Sequence, residues 1–220
     1  MTASSISVLL ADDHSAIRAG LRMILESAGG FTVAGEAADG AAAVAMARAL
    51  RPDVVLMDIR MPGRDGIAAT ADIADAGLAA VLILTTFDID DYVFAALRAG
   101  AAGFLLKSAE PAELVRAVRS VANGDSVLSP EVTGKLIGAF VQQSPPARPP
   151  AIRPEPAEPL TSREEAVLAC LGEGLSNQQI CRRLGIAETT VKTHVSRVLA
   201  KLRVASRVQA AIAYRERTGP

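Results

Sequence analysis

The first half of the chain alternates short apolar runs with longer amphipathic ones. The runs at 6–11, 31–36, 53–58, 80–85 and 103–106 are mostly apolar and bounded by turn residues. Short runs of this kind are the pattern of strands buried on both faces. Between and after them, residues 15–28, 40–50, 66–76, 90–99 and 111–123 carry apolar residues at helical spacing. Five strand–helix units with short connections predict a parallel sheet with helices on both faces. Right-handed crossovers follow. A further helix is predicted over 130–141, where Ser129 offers a cap, Pro130 fits the first helical position and apolar side chains follow.

The pattern stops at 144–159. Seven prolines in these 16 residues exclude a helix or a sheet interior. A semi-extended linker is predicted, reaching about 3 Å per residue. Helical spacing resumes at 160. Thr161-Ser-Arg-Glu164 and Ser176-Asn-Gln-Gln179 read as capping boxes. Gly174 and Gly185 fit the ends of the helices they open. A third helix is predicted at 188–202 and a fourth at about 206–217. The domains expected are therefore 1–125, a helix and linker over 126–159, and a small all-α domain over 160–220. The segment 176–202, with Gly185-Ile186-Ala187 between its helices, is a helix-turn-helix candidate.

Charge sharpens this division. The chain carries 23 Lys+Arg and 24 Asp+Glu among 220 residues, and its net charge of −1 hides an asymmetry. Residues 1–140 hold 11 basic and 17 acidic side chains, while 160–220 hold 10 and 5. An acidic half before a basic half suggests a metal-binding domain joined to a nucleic-acid-binding one. Cys170 and Cys181 fall on apolar helix faces, without metal-type clustering, and read as buried thiols in a reducing compartment. No leader pattern opens the chain, and no apolar stretch reaches the roughly 18 residues that span a bilayer. A cytoplasmic protein without membrane contact is expected.

The candidate chemistry lies at strand ends, where open α/β sheets bind ligands. Asp12 and Asp13 follow the first run, Asp58 ends the third, Thr85 ends the fourth and Lys107 follows the fifth. A carboxylate attacks a phosphoryl donor only if negative charge is neutralised, and a divalent ion bridging carboxylate and phosphoryl oxygens does this. Mg²⁺ takes one or two carboxylates plus other oxygens. Asp13 and Asp58 are the expected direct ligands, Asp12 acts directly or through water, and the carbonyl of Arg60 supplies a neutral oxygen. Lys107 is a point charge for the phosphoryl oxygens, and Thr85 offers a hydroxyl. His14 reads as a helix-start residue, since imidazole suits Mg²⁺ poorly. Asp88, Asp90 and Asp91 read as a solvated cap on the next helix.

The pieces Leu-Leu-Ala-Asp12-Asp13-His14, Met57-Asp58-Ile-Arg-Met-Pro-Gly-Arg-Asp-Gly66, Leu84-Thr85-Thr86 and Gly103-Phe-Leu-Leu-Lys107 resemble the receiver domain of bacterial response regulators. The resemblance covers 6 to about 125 and implies a flavodoxin-like (βα)5 fold. It implies that Asp58 takes a phosphoryl group from a histidine kinase. It also implies that Thr85 and Phe104 then shift together, rearranging the surface from about 87 to 123. Two positions depart from the pattern. Ser108 stands where many receivers have proline, which leaves the isomer of the 107–108 bond open. Phe104 stands where tyrosine is common.

Residues 160–215 resemble the LuxR/NarL-type helix-turn-helix through Gly174-Leu-Ser-Asn-Gln-Gln-Ile180, Thr190-Val-Lys-Thr-His-Val-Ser-Arg197 and Leu199-Ala-Lys-Leu202. The likeness implies that helix 188–202 enters the major groove of double-stranded DNA. Periodicity alone assigns Val191, Val195, Val198 and Leu202 to the core and leaves Lys192, Thr193, Ser196 and Arg197 for DNA. Lys201 and Arg203 are expected on phosphates, with Arg182 and Arg183 as further backbone contacts. His194 sits between the two faces. Ala187 replaces the Ser common at that cap, which costs the helix start about 1 kcal/mol. In the family the last helix, here with Val208, Ala211, Ile212 and the nearby Ala205, forms a dimer contact. A C2 homodimer, expected on phosphorylation, predicts pseudo-palindromic sites. The expected function is that of a transcription factor rather than an enzyme. A Mg²⁺-dependent phosphoesterase of similar fold is the enzyme alternative, but Arg60 occupies the position where many such enzymes carry a second acid. A regulator that works without phosphorylation is the other alternative.

Overall fold

A computed structural model of the chain describes residues 5–85, 89–128 and 158–218. Its contacts divide the chain into two compact units, Met1–Val127 and Leu128–Pro220.

In the first unit the strands are β1 (Ile6–Ala11), β2 (Phe31–Ala37), β3 (Val54–Asp58), β4 (Ala80–Thr85) and β5 (Gly103–Leu106), and a sixth, β6 (Val127–Leu128), closes the sheet at the boundary between the units. The helices are α1 (Ser15–Ala28), α2 (Gly40–Leu50), α3 (Gly66–Asp75), α4 (Ile89–Arg98) and α5 (Pro111–Ala122). The sheet order is β2-β1-β3-β4-β5-β6, with parallel pairing from β2 through β5. The order reverses at β1, so the crevice beyond the carboxyl ends of β1 and β3 is the natural binding position. Strand residues alternate between faces. On one face Val8, Leu10, Val54, Leu56, Leu82, Leu84 and Leu105 pack with Leu25 of α1 and with Leu114, Ala117, Val118 and Val121 of α5. Leu9, Val55, Met57 and Ile83, of opposite parity, are equally buried. Burial on both sides is why these strands read as apolar runs.

The sixth strand was not predicted. The amide of Val127 donates to the Ala102 carbonyl at 3.4 Å. A β-carbon on Gly103 would come within 2.8 Å of the Val127 carbonyl oxygen. Glycine is what lets the chain close on that edge. The predicted helix at 130–141 and the proline-rich linker up to residue 157 lie outside the described residues. So does Asp88, and so do the side chains of Asp90 and Asp91.

Among the described residues the second unit contains α6 (Ser162–Gly172), α7 (Asn177–Leu184), α8 (Glu188–Leu202) and α9 (Arg207–Thr218). Both capping boxes form: Thr161 with Glu164, and Ser176 with Gln179. Gly185 ends α7 in the left-handed conformation at φ 63°, which turns the chain into α8. Val191, Val195, Val198 and Leu202 join Val167, Leu168, Leu171 and Ile180 in the core, as periodicity predicted. Gly172 is the contact point of α6 and α9, since a β-carbon there would sit 2.1 Å from the Tyr214 ring.

Candidate functional site

Asp12 and Asp58 are almost fully buried, at 2% and 6% exposure. Between them lies the Lys107 ammonium, 2.6 Å from Asp12 Oδ2 and 2.9 Å from Asp58 Oδ2. Pairing of β1 with β3 sets Ala11 beside Met57, so the two acids leave the sheet together. Lys107 is delivered by β5 and anchored by its backbone amide, which donates to the Thr85 carbonyl at 2.7 Å. Thr85 is itself buried at 5% exposure. The other Asp58 oxygen, Oδ1, accepts from the Ile59 amide at 2.9 Å. Strand order thus brings four of the predicted residues, far apart in sequence, to one pocket.

Burial pushes the Asp58 carboxyl above its ordinary pKa, against the opposing pull of the Lys107 ammonium. Burial alone would lower Lys107, but its bonds to Asp12 and Asp58 more than offset this and hold it fully charged. Asp13 is more open, and its Oδ1 lies 2.5 Å from His14 Nδ1. The ligand atoms of Asp12, Asp13 and His14 lie within 4.8 Å of one another. His14 is the residue before α1, and its amide donates to Asp12 Oδ1 at 2.9 Å. Three carboxylates against one lysine leave this pocket two charges negative. Hard oxygen donors with that deficit fit a hard divalent cation. Arg60 is exposed two residues beyond Asp58. Phe104 is fully buried beside Ile83, and the 107–108 peptide bond is trans.

Two supporting residues escaped the sequence reading. Arg18 donates from Nη1 to the Asp12 carbonyl at 2.7 Å and from Nε to Glu36 at 3.1 Å. It holds the strand end that carries the acids. The second, Gly66, carries no reactive atom and acts through its backbone. Its amide donates to the Ile59 carbonyl at 2.9 Å, and a β-carbon there would sit 1.8 Å from the Asp58 carbonyl oxygen.

In the second unit Thr193, Ser196 and Arg197 are exposed on α8, and Lys192 is half-buried 3.5 Å from Glu188. Ala187 provides no side-chain cap. Lys201 departs from the expected phosphate contact. Its ammonium binds Glu164 Oε2 at 2.9 Å and the Pro159 carbonyl at 3.1 Å. Glu164 is only 3% exposed, so this cation is committed to the domain's own interior. Arg183 is paired with Glu173 on the surface, and Arg182, Arg183 and Arg203 are all exposed. On α9, Ala210 and Ala213 point into the core while Val208, Ala211 and Ile212 remain partly exposed. Ala205 precedes that helix and donates its amide to Gln209.

Lys201 and the Thr161 amide hold the Glu164 carboxyl down at about 2, from 4.5. A depressed acid stabilises the fold above its unfolded pKa, and the contribution is lost as pH falls through the folded value. The second unit is therefore expected to lose stability between about pH 4.5 and pH 2. Thermal melts of wild type and Glu164→Gln from pH 7 down to pH 2 should show a lower midpoint for the variant at neutral pH and a flatter acid limb. Parallel acid limbs would show that the ion pair contributes nothing.

Comparison with known proteins agrees with both units. A family model described as the response regulator receiver domain matches residues 8–119. One described as bacterial regulatory proteins of the luxR family matches 158–214. The chain is 41% identical over 213 residues to the transcriptional regulatory protein YxjL of Bacillus subtilis, covering 96% of each. It is 40% identical over 208 residues to LiaR of the same organism, covering 94% of this chain and 95% of that one. Among solved structures it resembles the response regulator ChrA of a heme-sensing two-component system, with TM-score 0.55 and 41% identity over 97% of this chain and 98% of that one. No helix among the described residues is long and apolar enough to cross a membrane. The chain belongs to the response regulators, with a receiver domain followed by a LuxR-type DNA-binding domain, and is a transcriptional regulator of that family.

Proposed function

We propose that Asp58 accepts a phosphoryl group from a sensor histidine kinase, and that this modification controls dimerisation and sequence-specific DNA binding. The observation that carries the reading is the buried Asp58 carboxylate at a strand end, 2.9 Å from Lys107 Nζ and sharing that cation with Asp12. Asp12, Asp13 and Asp58, with the Arg60 carbonyl, would hold Mg²⁺. When bound, the ion supplies neutralisation of the carboxylate and phosphoryl oxygens. Lys107 turns from Asp12 to a phosphoryl oxygen as a point charge. The phosphorus–nitrogen bond of the donor histidine breaks as the Asp58 oxygen bonds phosphorus, and no external substrate is turned over. Thr85, buried beside the pocket, offers its hydroxyl to the modified group. Its movement opens space that the Phe104 ring, on the neighbouring strand, can follow into.

The output belongs to the second unit. Lys192, Thr193, Ser196 and Arg197 lie on the outer side of α8 for double-stranded DNA. The partly exposed Val208, Ala211 and Ile212 suit a homodimer contact on a pseudo-palindromic site. A cytoplasmic location follows from these partners. The reading is tested by DNA binding of the full chain with and without a small phosphodonor and Mg²⁺. Wild type should gain affinity together with a dimeric mass, and Asp58→Asn should gain neither. Equal affinity of all samples would support a regulator that acts without phosphorylation.

A further inference from the structure

His14 stands beside the acidic pocket and has no part in the function proposed above. Its backbone starts α1, since its carbonyl accepts the amides of Ile17 and Arg18. Its side chain, however, makes no cap hydrogen bond. Residues favoured at that position carry a short oxygen acceptor that reaches the helix amides. The imidazole turns toward the acids instead, and its ring remains 71% exposed.

The ring nitrogen Nδ1 lies 2.5 Å from Asp13 Oδ1 and 3.6 Å from Asp12 Oδ1. Two neighbouring donors on an octahedral ion, each at about 2.1 Å, lie about 3.0 Å apart. The two observed separations fall on either side of that edge, so a small turn of the exposed ring brings Nδ1 to ligand spacing from both acids. Asp12 is already fixed for this: Oδ1 accepts the His14 amide and Oδ2 accepts the Lys107 ammonium. Its Oδ1 keeps a further lone pair. Backbone and ring of one residue thus converge on the same carboxylate. The donor types decide which ion gains. Carboxylate and carbonyl oxygens suit Mg²⁺, whereas imidazole suits first-row transition ions such as Fe²⁺, Ni²⁺ and Zn²⁺.

We propose that His14 Nδ1 is a fourth side-chain ligand of this pocket, beside Asp12, Asp13 and Asp58, recruited by divalent transition ions and left unused by Mg²⁺. The receiver thereby holds a transition ion more tightly than its oxygen donors alone would. The inference rests on the metal reading above and deepens it by one residue and one class of ion. His14 moves from helix-start residue to selectivity ligand.

The test uses the full chain and two probes, Co²⁺ and Mg²⁺, at about pH 8, where a histidine is neutral. Co²⁺ accepts the same octahedral arrangement and reports its ligands through its visible absorption. Affinities are measured by titration calorimetry for wild type, His14→Ala and His14→Asn, each checked for helix content by circular dichroism. Asn is a good helix cap, so His14→Asn preserves the helix start and removes only the imidazole. Both variants should lose Co²⁺ affinity by roughly 10–100-fold, a scale that even outer-shell partners of a metal reach. Mg²⁺ affinity should stay nearly unchanged. The Co²⁺ band of wild type should lie at shorter wavelength than that of either variant, because a nitrogen ligand splits the metal levels more strongly than oxygen. Equal loss of both ions would overturn the inference, as would no loss of either or a His14→Asn protein that binds Co²⁺ like wild type. Failure of folded wild type to bind either ion would remove the metal reading itself.

Discussion

Lys107→Ala should slow phosphoryl uptake on Asp58 by about 10²–10³-fold, the usual cost of removing one preorganised charge from a reacting site. The Lys107 side chain is 11% exposed and its ammonium is bonded to both Asp12 and Asp58, so solvent cannot replace it easily. Its loss leaves two buried carboxylates without their shared cation. Divalent-ion affinity should therefore be kept or increased while transfer collapses. Titration calorimetry with Mg²⁺ beside the rate of mass gain separates the two effects. A fall in Mg²⁺ affinity with normal transfer would mean that Lys107 orders the pocket rather than stabilising the transferred group.

The second large effect is expected at a residue with no reactive atoms. Any side chain at Gly66 collides with backbone, not with a movable side-chain tip. The added β-carbon would lie 1.8 Å from the Asp58 carbonyl oxygen and 3.0 Å from the Ile59 α-carbon. The β3–α3 loop must shift, and the acceptor carboxylate shifts with it. Gly66→Ala should destabilise the receiver by about 1–3 kcal/mol, as overpacking does. It should cut phosphoryl uptake about 100-fold, since a displacement near 1 Å costs that much. Reduced stability with an unchanged uptake rate in the folded fraction would show that the acceptor does not depend on this contact.

The receiver was legible because its parallel strands are buried on both faces, which leaves unbroken apolar runs such as Val54-Val55-Leu56-Met57. The pocket was legible because Asp12, Asp13, Asp58, Thr85 and Lys107 each stand at the carboxyl end of such a run. The helical unit announced itself through its two capping boxes, and both form. What sequence hid depends on contacts between distant residues. β6 is two residues long, too short for a pattern, and exists because Gly103 leaves room for Val127. Glu164 looked like a capping-box residue only, yet it also receives Lys201 from 37 positions away. Lys201 was expected on a DNA phosphate, and nothing in the sequence signalled the buried acid it meets. Arg18 and Gly66 were hidden likewise, since each acts on the backbone of a pocket residue.

The central claim is that Asp58 is the phosphoryl acceptor. Intact mass spectrometry after incubation with a small phosphodonor and Mg²⁺, with Asp58→Asn alongside, tests it most directly. The account expects one added phosphoryl group, about 80 Da, on wild type and none on the variant, with uptake abolished when Mg²⁺ is chelated. Equal labelling of both proteins, or none on folded wild type with Mg²⁺ present, would contradict it.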